Sequence, residues 1–251
     1  MEEYSDSLAG RVALVTGGAR RVGAAIVRAL HAAGMTVVIH ANRSVDEAGR
    51  LRDALNAVRP ASADAVRCDL GNTAELGPLV EHLLARHGRL DALVNNASGF
   101  HRTPVGSTSE AQWDDLLGSN LKAPFFLCQA AAPALKRQRG CIVNLVDIHA
   151  RKPMRDYAAY CAAKAGLAML TLALAKDLGP EVRVNGVAPG AILWPEAAMD
   201  PRVQDEIVAT TSLKRVGEPA DVARTVLFLV RDAPYITGQI IAVDGGRSIG
   251  W

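Results

Sequence analysis

The sequence predicts an α/β protein in which one parallel β-sheet is covered by helices on both faces. Short apolar segments alternate with helical ones along the chain, beginning with residues 11–16, 24–33 and 36–40. A strand–helix–strand unit of about 30 residues is the length of a βαβ module, and repetition of this module gives a doubly wound, Rossmann-like sheet. No repeat or linker divides the 251 residues. We therefore predict a single domain over 1–251 with a flexible segment at 1–10.

The remaining elements follow the same alternation. We predict helices over 44–58, 73–87, 110–139, 156–178 and 219–230, and strands over 63–67, 92–95, 140–146, 183–187 and 239–243. In an open parallel sheet the ligand binds outside the carboxyl ends of the strands. Functional residues are therefore expected just after each strand.

The composition is that of an ordinary globular protein. Apolar residues make up 49% and charged residues 22%, with a net charge of +2 and no long basic run, which argues against a nucleic-acid partner. The acidic start, 1–6, does not resemble a signal peptide, and the longest apolar run, 165–175, is too short to cross a bilayer. Four dispersed cysteines predict reduced, buried thiols, and six dispersed histidines predict no metal site. We expect a cytoplasmic location and no membrane partner.

The first turn has the pattern expected of a dinucleotide-binding loop. Gly17 follows the first strand, and Gly23 allows the next helix to begin close to a pyrophosphate, beside Val22. Arg21 stands where a middle glycine is usual. The simpler alternative is a tight turn with surface arginines.

Residues after the second strand favour NADPH over NADH. An NAD enzyme usually carries an acid there, whereas this chain has His40, Asn42, Arg43 and Ser44. Arg43 and Arg21 are expected to approach a 2′-phosphate. Each charge-assisted bond contributes about 1.5–3 kcal/mol, so two would favour NADPH by about two decades. After the third strand, Asp69 is expected to accept from the adenine amino group, beside Leu70, unless it caps the following helix.

The chemistry is concentrated between Asp147 and Lys164. Tyr160 and Lys164 lie one helical turn apart, and a nearby ammonium lowers the pKa of a phenol, so this pair predicts a general acid or base. The alternative is an ordinary pair on a solvated helix face. Asp147 follows a buried strand and is expected at the ligand-binding edge.

Together these residues resemble the short-chain dehydrogenase/reductase superfamily. The matching segments cover nearly the whole chain: Thr16-Gly17 with Gly23, Asp69-Leu70, Asn95-Asn96-Ala97, Asn120, Tyr160 with Lys164, 185–190 and 244–246. The resemblance implies that Tyr160 is the general acid and that Lys164 binds the nicotinamide ribose. It also implies a proton relay through Asn120 and a nicotinamide pocket lined by Asn96 and Pro189-Gly190.

Within that superfamily the chain is similar to the pteridine reductases. These carry an acid where Asp147 replaces the usual serine, and they share Arg21, Arg43-Ser44 and the segment 96–100. The resemblance implies a pterin stacked between the nicotinamide and Phe100, with Ser98 and Arg21 on polar groups. It further implies a homotetramer with 110–139 and 156–178 in one interface and with the tail 247–251 reaching a neighbour.

Other interpretations differ in what they require of Asp147. A carbonyl reductase or alcohol dehydrogenase is disfavoured because a carboxylate is a poor partner for a developing alkoxide. A catalytically idle nucleotide sensor is disfavoured by the complete set of Asn120, Tyr160 and Lys164. For Asp147 itself, two roles remain open. It either donates a proton to a pterin nitrogen or only caps a loop and orients Tyr160.

Overall fold

A computed structural model of the chain describes residues 7–194 and 200–250 and has a seven-stranded parallel sheet, ordered β3-β2-β1-β4-β5-β6-β7. The strands are β1 Val12–Val15, β2 Thr36–Ala41, β3 Ala63–Arg67, β4 Ala92–Asn95, β5 Cys141–Leu145, β6 Arg183–Pro189 and β7 Ile240–Val243. All six strand pairs in this order are parallel. The predicted α/β class with a Rossmann-like sheet is confirmed.

Helices connect successive strands and cover both faces of the sheet. They are α1 Arg21–Ala32, α2 Val45–Val58, α3 Leu76–His87, α4 Glu110–Leu117, α5 Ala123–Gln138, α6 Ala158–Leu178, α7 Pro201–Thr210 and α8 Pro219–Arg231. The predicted helix 110–139 is interrupted by a π-helical turn, Gly118–Lys122. Helix α7 was not predicted from the sequence. None of its residues is buried, so it has no part in the core whose apolar pattern predicts the other helices.

The core forms two layers because side chains alternate along each strand. On β1, Ala13 and Val15 pack with α1 and α8, whereas Val12 and Leu14 pack on the opposite face with α3 and α5. Such burial on both faces explains why the strand reads as a continuous apolar run. The helices therefore fix the sheet from both sides and hold its carboxyl edge rigid.

The chain reverses its winding direction at β1. Strand β1 lies between β2 and β4, so the carboxyl ends of β1 and β4 open a crevice at the switch point. Thr16, directly after β1, donates its backbone N–H to the carbonyl of Val94 in β4 at 3.0 Å. The residues that follow β1 and β4 are thereby brought together.

A buried hydrogen-bond chain ties α6 to the centre of the sheet. The amide of Asn95 in β4 donates to Asn144 Oδ1 in β5 at 2.8 Å, and Asn144 Nδ2 donates to Thr171 Oγ1 at 2.9 Å. Thr171 in turn donates to the carbonyl of Leu167 at 2.8 Å. All three polar side chains are buried, so each satisfies another without water. This chain fixes the helix that carries Tyr160 and Lys164.

Helix α6 is longer than the apolar run that the sequence shows. Its 21 residues would suffice by length and composition alone to cross a membrane, a test that core helices of globular proteins also pass. It packs against β6, α4 and α5, and it buries Tyr160 and Lys164 at its amino-terminal end. These contacts are those of a core helix. The four cysteines are all buried and unpaired, as expected.

Candidate active site

The turn after β1 is closely packed at its two predicted glycines. Gly17 has a φ of +59°, and a side chain there would approach Ala97 Cα at 3.0 Å. A Cβ on Gly23 would lie 2.1 Å from the carbonyl oxygen of Gly17. Helix α1 therefore begins directly against the turn. Arg21, Val22 and Gly23, the first residues of α1, line the cleft, and the amino terminus of a helix is a position that favours an anion.

Thr16 and Asn96 fix this turn to the end of β4. Asn96 Nδ2 donates to the carbonyls of Thr16 at 2.8 Å and Gly17 at 3.1 Å. In return, Thr16 Oγ1 accepts the backbone N–H groups of Asn96 at 2.9 Å and Ala97 at 3.0 Å. The predicted residues Asn96 and Ala97 thus form one wall of the cleft, in register with the glycine turn.

The residues after β2 and β3 meet at the far end of the cleft. Arg43 is exposed at the rim, and Ser44 is the N-cap residue of α2, where its side chain makes no capping bond. Asn42 Nδ2 donates to Asp69 Oδ1 at 3.1 Å, and the same oxygen accepts the N–H of Gly71 at 3.0 Å. Asp69 therefore braces its own loop and remains exposed at the cleft. The alternative, that Asp69 caps the following helix, is not what the structure shows, because Asn72 caps that turn.

His40 was predicted to contact the cofactor, and in the structure it lines the cleft with a ring that is held by the backbone. Its ring is buried, with Nδ1 accepting the N–H of Gly17 at 3.2 Å and Nε2 at 3.0 Å from the carbonyl oxygen of Cys68. Both nitrogens are engaged by the backbone. His40 supports the turn from behind.

Asp147, Tyr160 and Lys164 meet where β5 ends beside the first turn of α6. The Tyr160 hydroxyl donates to Asp147 Oδ2 at 2.7 Å, and Asp147 Oδ1 accepts the N–H of His149 at 2.8 Å. Lys164 Nζ donates to the carbonyl of Leu145 at 2.8 Å and lies 5.8 Å from the centre of the Tyr160 ring. Asp147 thus caps a short 3₁₀ turn and orients Tyr160 at the same time.

The electrostatics of Tyr160 differ from the sequence prediction. Burial, followed by the charge and hydrogen bond of Asp147, raises the pKa of Tyr160 well above its usual value. Burial lowers the pKa of Lys164 to about 8, against the opposing charge of Asp147. The expectation that Lys164 lowers the tyrosine pKa is therefore wrong for this arrangement, because desolvation and Asp147 outweigh the ammonium. Tyr160 holds its proton at neutral pH and is a proton donor.

Asn120 supports the loop that follows β4. It lies in the π-helical turn, a feature that commonly re-aims a side chain at a functional site. Asn120 Nδ2 donates to the carbonyls of Gly99 at 2.9 Å and Leu116 at 3.0 Å, and its Oδ1 accepts from Ser98 Oγ at 2.8 Å. Two of these bonds hold Ser98 and Gly99 in the loop after β4. The relay behind Lys164 that the resemblance implied is not among them.

Phe100 belongs to an aromatic cluster over Tyr160. Its ring stacks on Tyr157 with centroids 4.8 Å apart and meets Tyr160 edge-on at 4.9 Å. The ring remains 48% exposed. One face of Phe100 is thus occupied by Tyr157, which the sequence reasoning did not identify. A flat ligand stacking on Phe100 must use its other face or displace Tyr157.

Pro189 and Gly190 end β6 on the other side of Asp147. Gly190 donates its N–H to the carbonyl of Val243 at 3.0 Å, and a Cβ there would lie 2.7 Å from Asp244 Cβ. The Asp244 carboxylate accepts the N–H groups of Gly246 and Ser248 at 2.9 and 2.8 Å. The segment after β7 therefore supports the Pro189-Gly190 wall from behind.

A cleft of about 1470 Å³ runs along the carboxyl edge of the sheet, beside the turn after β1 and the residues that follow β2, β3 and β4. Its wall includes residues 17, 19–23, 40–44, 69–71 and 96–99. The cleft continues along α4 and α5. This is the extended shape that a dinucleotide requires at a switch point. Tyr160 and Lys164 are buried beyond it, at 4% and 2% exposure, under the aromatic cluster.

Known proteins share both the sequence and the fold of this chain. A family model described as enoyl-(acyl carrier protein) reductase matches residues 17–248. The chain belongs to the short-chain dehydrogenase/reductase superfamily. It is therefore an oxidoreductase that uses a nicotinamide cofactor.

Individual relatives differ in their substrates. Pteridine reductase 1 of Leishmania tarentolae is 39% identical, covering 95% of this chain and 96% of its own. A 3-oxoacyl-[acyl-carrier-protein] reductase of Staphylococcus epidermidis is 35% identical, covering 93% and 97%. A crystal structure assigned as a short-chain alcohol dehydrogenase from Sinorhizobium meliloti 1021 superposes with a TM-score of 0.92 at 33% identity, covering 98% and 99%.

The residues of the reductase fit a dinucleotide, with two changes to the predicted set. Arg21 Nη2 donates to the carbonyl of Trp194 at 2.9 Å, so its guanidinium bridges the turn to the loop after β6. This bond does not support the expectation that Arg21 and Arg43 both approach a 2′-phosphate. Arg20, the N-cap residue of α1, was missed and lines the cleft. The sequence could have indicated Arg20, because it stands next to Arg21 in the glycine-containing turn.

Replacing Gly23 by alanine is expected to weaken dinucleotide binding by tenfold or more. The new methyl would overlap the Gly17 carbonyl, and overpacking of this kind costs about 1–3 kcal/mol. Titration of protein fluorescence with NADPH measures the effect. The matched control is Gly49→Ala on α2, where a Cβ meets no atom within 4 Å. Wild-type affinity in Gly23→Ala would show that the turn has room for a side chain.

Proposed function

We propose that this single-domain reductase, residues 1–251, reduces a C=N bond of a pterin with NADPH in the cytoplasm. The observation that carries the proposal is the hydrogen bond from the Tyr160 hydroxyl to the Asp147 carboxylate at 2.7 Å. Short-chain reductases of the general pattern place a serine at the position of Asp147. The identity of 39% to pteridine reductase 1 supports the proposal.

A carboxyl group suits reduction at a ring nitrogen better than reduction of a carbonyl. Hydride addition to a C=N bond leaves negative charge on nitrogen, which then requires a proton. A carbonyl instead develops an alkoxide, which a neighbouring carboxylate repels. Asp147 is half-buried beside the aromatic cluster, and its Oδ2 accepts the hydrogen bond of the Tyr160 hydroxyl. We expect this arrangement to benefit reduction of the C=N bond more than reduction of a carbonyl.

The residues of the site have separate roles in this proposal. NADPH supplies the hydride when it is bound. Tyr160 would give its hydroxyl proton to the ring nitrogen, and a proton taken up from solvent through the Asp147 carboxyl group would replace it. Lys164 offsets the buried negative charge and faces the ribose. Asn120 holds Ser98 and the adjoining loop in place.

The groups that would hold the cofactor lie along the cleft in the order of its parts. In this proposal the N-terminus of α1, with Gly17, Val22 and Gly23, would hold the pyrophosphate, and Arg43, Ser44 and Asn42 would hold the 2′-phosphate. Asp69-Leu70 would lie beside the adenine, and Asn96, Ala97, Pro189 and Gly190 beside the nicotinamide. Phe100, Ser98 and Arg21 would border the pterin.

A second candidate is reduction of a 3-oxoacyl or other carbonyl group. The 3-oxoacyl-[acyl-carrier-protein] reductase relative is 35% identical over 93% of this chain, so overall identity does not separate the two substrates. We expect the residue at position 147 to distinguish a pterin from a carbonyl substrate. An acid is expected to favour the nitrogen acceptor.

Asp147→Asn is expected to lower kcat for a pterin by about 10²–10⁴, the usual contribution of a general acid. The asparagine preserves shape and one acceptor oxygen but holds no transferable proton. Loss of NADPH absorbance with dihydrobiopterin and with biopterin measures turnover. Binding of NADPH should change little.

Asp147→Ser provides the matched comparison, because it installs the residue usual in the superfamily. It should raise the activity on a carbonyl substrate relative to a pterin. Retention of most pterin turnover by Asp147→Asn would contradict the proton-donor role. Robust carbonyl turnover by the unmodified protein, without pterin turnover, would favour the second candidate.

Arg43→Ala should raise the KM for NADPH by about tenfold to a hundredfold and leave the KM for NADH nearly unchanged. One charge-assisted bond to the 2′-phosphate is removed, and NADH has no such group. Steady-state kinetics with both cofactors tests this. Arg28→Ala, an exposed arginine on α1 away from the cleft, is the control. Equal use of NADPH and NADH by the wild type would refute the preference.

We also propose that the reductase assembles as a homotetramer. The helical segments 110–138 and 158–178 expose several large apolar side chains, including Trp113, Phe125, Met169 and Leu172. A second copy of the same helices would bury them, since contiguous exposed apolar surface marks an interface. The tail 247–251 is expected to reach a neighbouring subunit; its last residue, Trp251, lies outside the described residues.

Light scattering at micromolar concentration should give the mass of a tetramer. Met169→Glu, which places a charge on a residue that is 64% exposed in the isolated chain, should shift the mass to a smaller species. Val58→Glu at the end of α2 changes an apolar residue that is 79% exposed and lies outside these helices, and it should leave the mass unchanged. A wild-type monomer would refute the assembly.

A further inference from the structure

The imidazole of His40 holds the phosphate-binding turn from inside the protein. At the carboxyl end of β2, His40 Nδ1 accepts the N–H of Gly17 at 3.2 Å, and its backbone carbonyl accepts the N–H of Gly18 at 3.0 Å. Two successive amides of the turn are therefore bound by one residue. This contact crosses from β2 to the end of β1.

The partners of the two ring nitrogens define the protonation state. The N–H of Gly17 can only donate, so Nδ1 must be an unprotonated acceptor. The carbonyl of Cys68, 3.0 Å from Nε2, can only accept, so Nε2 carries the hydrogen. A neutral ring with hydrogen on Nε2 alone satisfies both bonds. A second proton on Nδ1 would face the Gly17 N–H directly.

The surroundings of the ring favour this neutral form. The side chain is 2% exposed, and burial lowers the pKa of His40. The charge of Asp69, after β3, acts in the opposite direction. Burial raises the pKa of the neighbouring Cys68 thiol to about 11, so this group adds no charge at neutral pH.

The direction of the Gly17 peptide controls the direction of the amides that follow it. Gly17 has a φ of +59°, its N–H is bound by His40, and its carbonyl accepts from Asn96 Nδ2 at 3.1 Å. Both polar groups of this residue are thus turned into the protein and away from a bound phosphate. The chain leaves this fixed peptide to begin α1, whose terminal amides face the cleft.

We infer that His40 is a positioning residue for the dinucleotide and that it acts through its contacts with Gly17 and Cys68. On one side its ring fixes the turn that faces the pyrophosphate. On the other it holds the carbonyl of Cys68, the residue before Asp69, at the adenine end. One buried ring therefore sets the spacing between the two ends of the binding site.

Two amide variants separate the contacts of the ring. In His40→Asn the side-chain oxygen is bonded to Cγ, as Nδ1 is in histidine, so the variant keeps an acceptor for the Gly17 N–H. In His40→Gln the side-chain amide nitrogen corresponds to Nε2, so the donor to Cys68 is kept and the Gly17 acceptor is lost. Both variants replace a ring by a carboxamide and should lose similar packing.

The dissociation constant for NADPH, measured by fluorescence titration, should rise about tenfold in His40→Gln and only about twofold in His40→Asn. The kcat at saturating NADPH should remain close to that of the wild type in both, because the Asp147–Tyr160 pair is untouched. Thermal unfolding of both variants measures their shared packing loss. Equal NADPH affinities in the two variants would overturn the role of the Nδ1 contact.

The protonation state is tested without cofactor. Nitrogen-15 NMR of the histidine-labelled protein at neutral pH should show His40 with hydrogen on Nε2 only, and this signal should be absent from His40→Asn. A signal with hydrogen on Nδ1 would overturn the inference. Neither measurement needs a pterin, so failure of the pterin assignment would leave this role of His40 intact.

Discussion

The hydrogen bonds between Thr16 and Asn96 are the constraint on which the whole site depends. They join the ends of β1 and β4 at the point where the winding of the sheet reverses. Because Asn96 binds the carbonyls of the glycine turn, the loop that continues to Ser98 and Phe100 starts from a fixed position. The glycine turn after β1 and the loop after β4 are consequently held together, and neither can move without breaking these hydrogen bonds.

Burial decides how the second part of the site works. An exposed tyrosine beside a lysine would have a lowered pKa, but Tyr160 is buried and bonded to a carboxylate, which reverses the effect. Desolvation also weakens Lys164 as a cation. The outcome is a tyrosine that retains its proton between an acid and an ammonium. Such an arrangement matches reduction, which consumes a proton, better than oxidation, which releases one.

Much of the fold followed from patterns that depend only on local sequence. Buried parallel strands are continuous apolar runs, and their alternation with helices determined the sheet. Helix α7 was missed because it contributes nothing to the core, and the π-helical turn around Asn120 has no periodic signature. In the site, residue types located Asp147 and Tyr160. Their pKa directions, the Arg21–Trp194 bond and the stacking of Tyr157 on Phe100 depend on tertiary packing, which spacing cannot express.

Substrate choice in this superfamily is a matter of a few side chains on a common frame. Identities of 39% and 35% to enzymes of different substrate class lie too close together to discriminate between the substrates. Discrimination is expected from groups that meet the reacting atom. In the structure the Asp147 carboxylate accepts the N–H of His149 with one oxygen and the Tyr160 hydroxyl with the other. Because both oxygens are oriented by the protein, position 147 is the place where a single substitution tests substrate choice most directly.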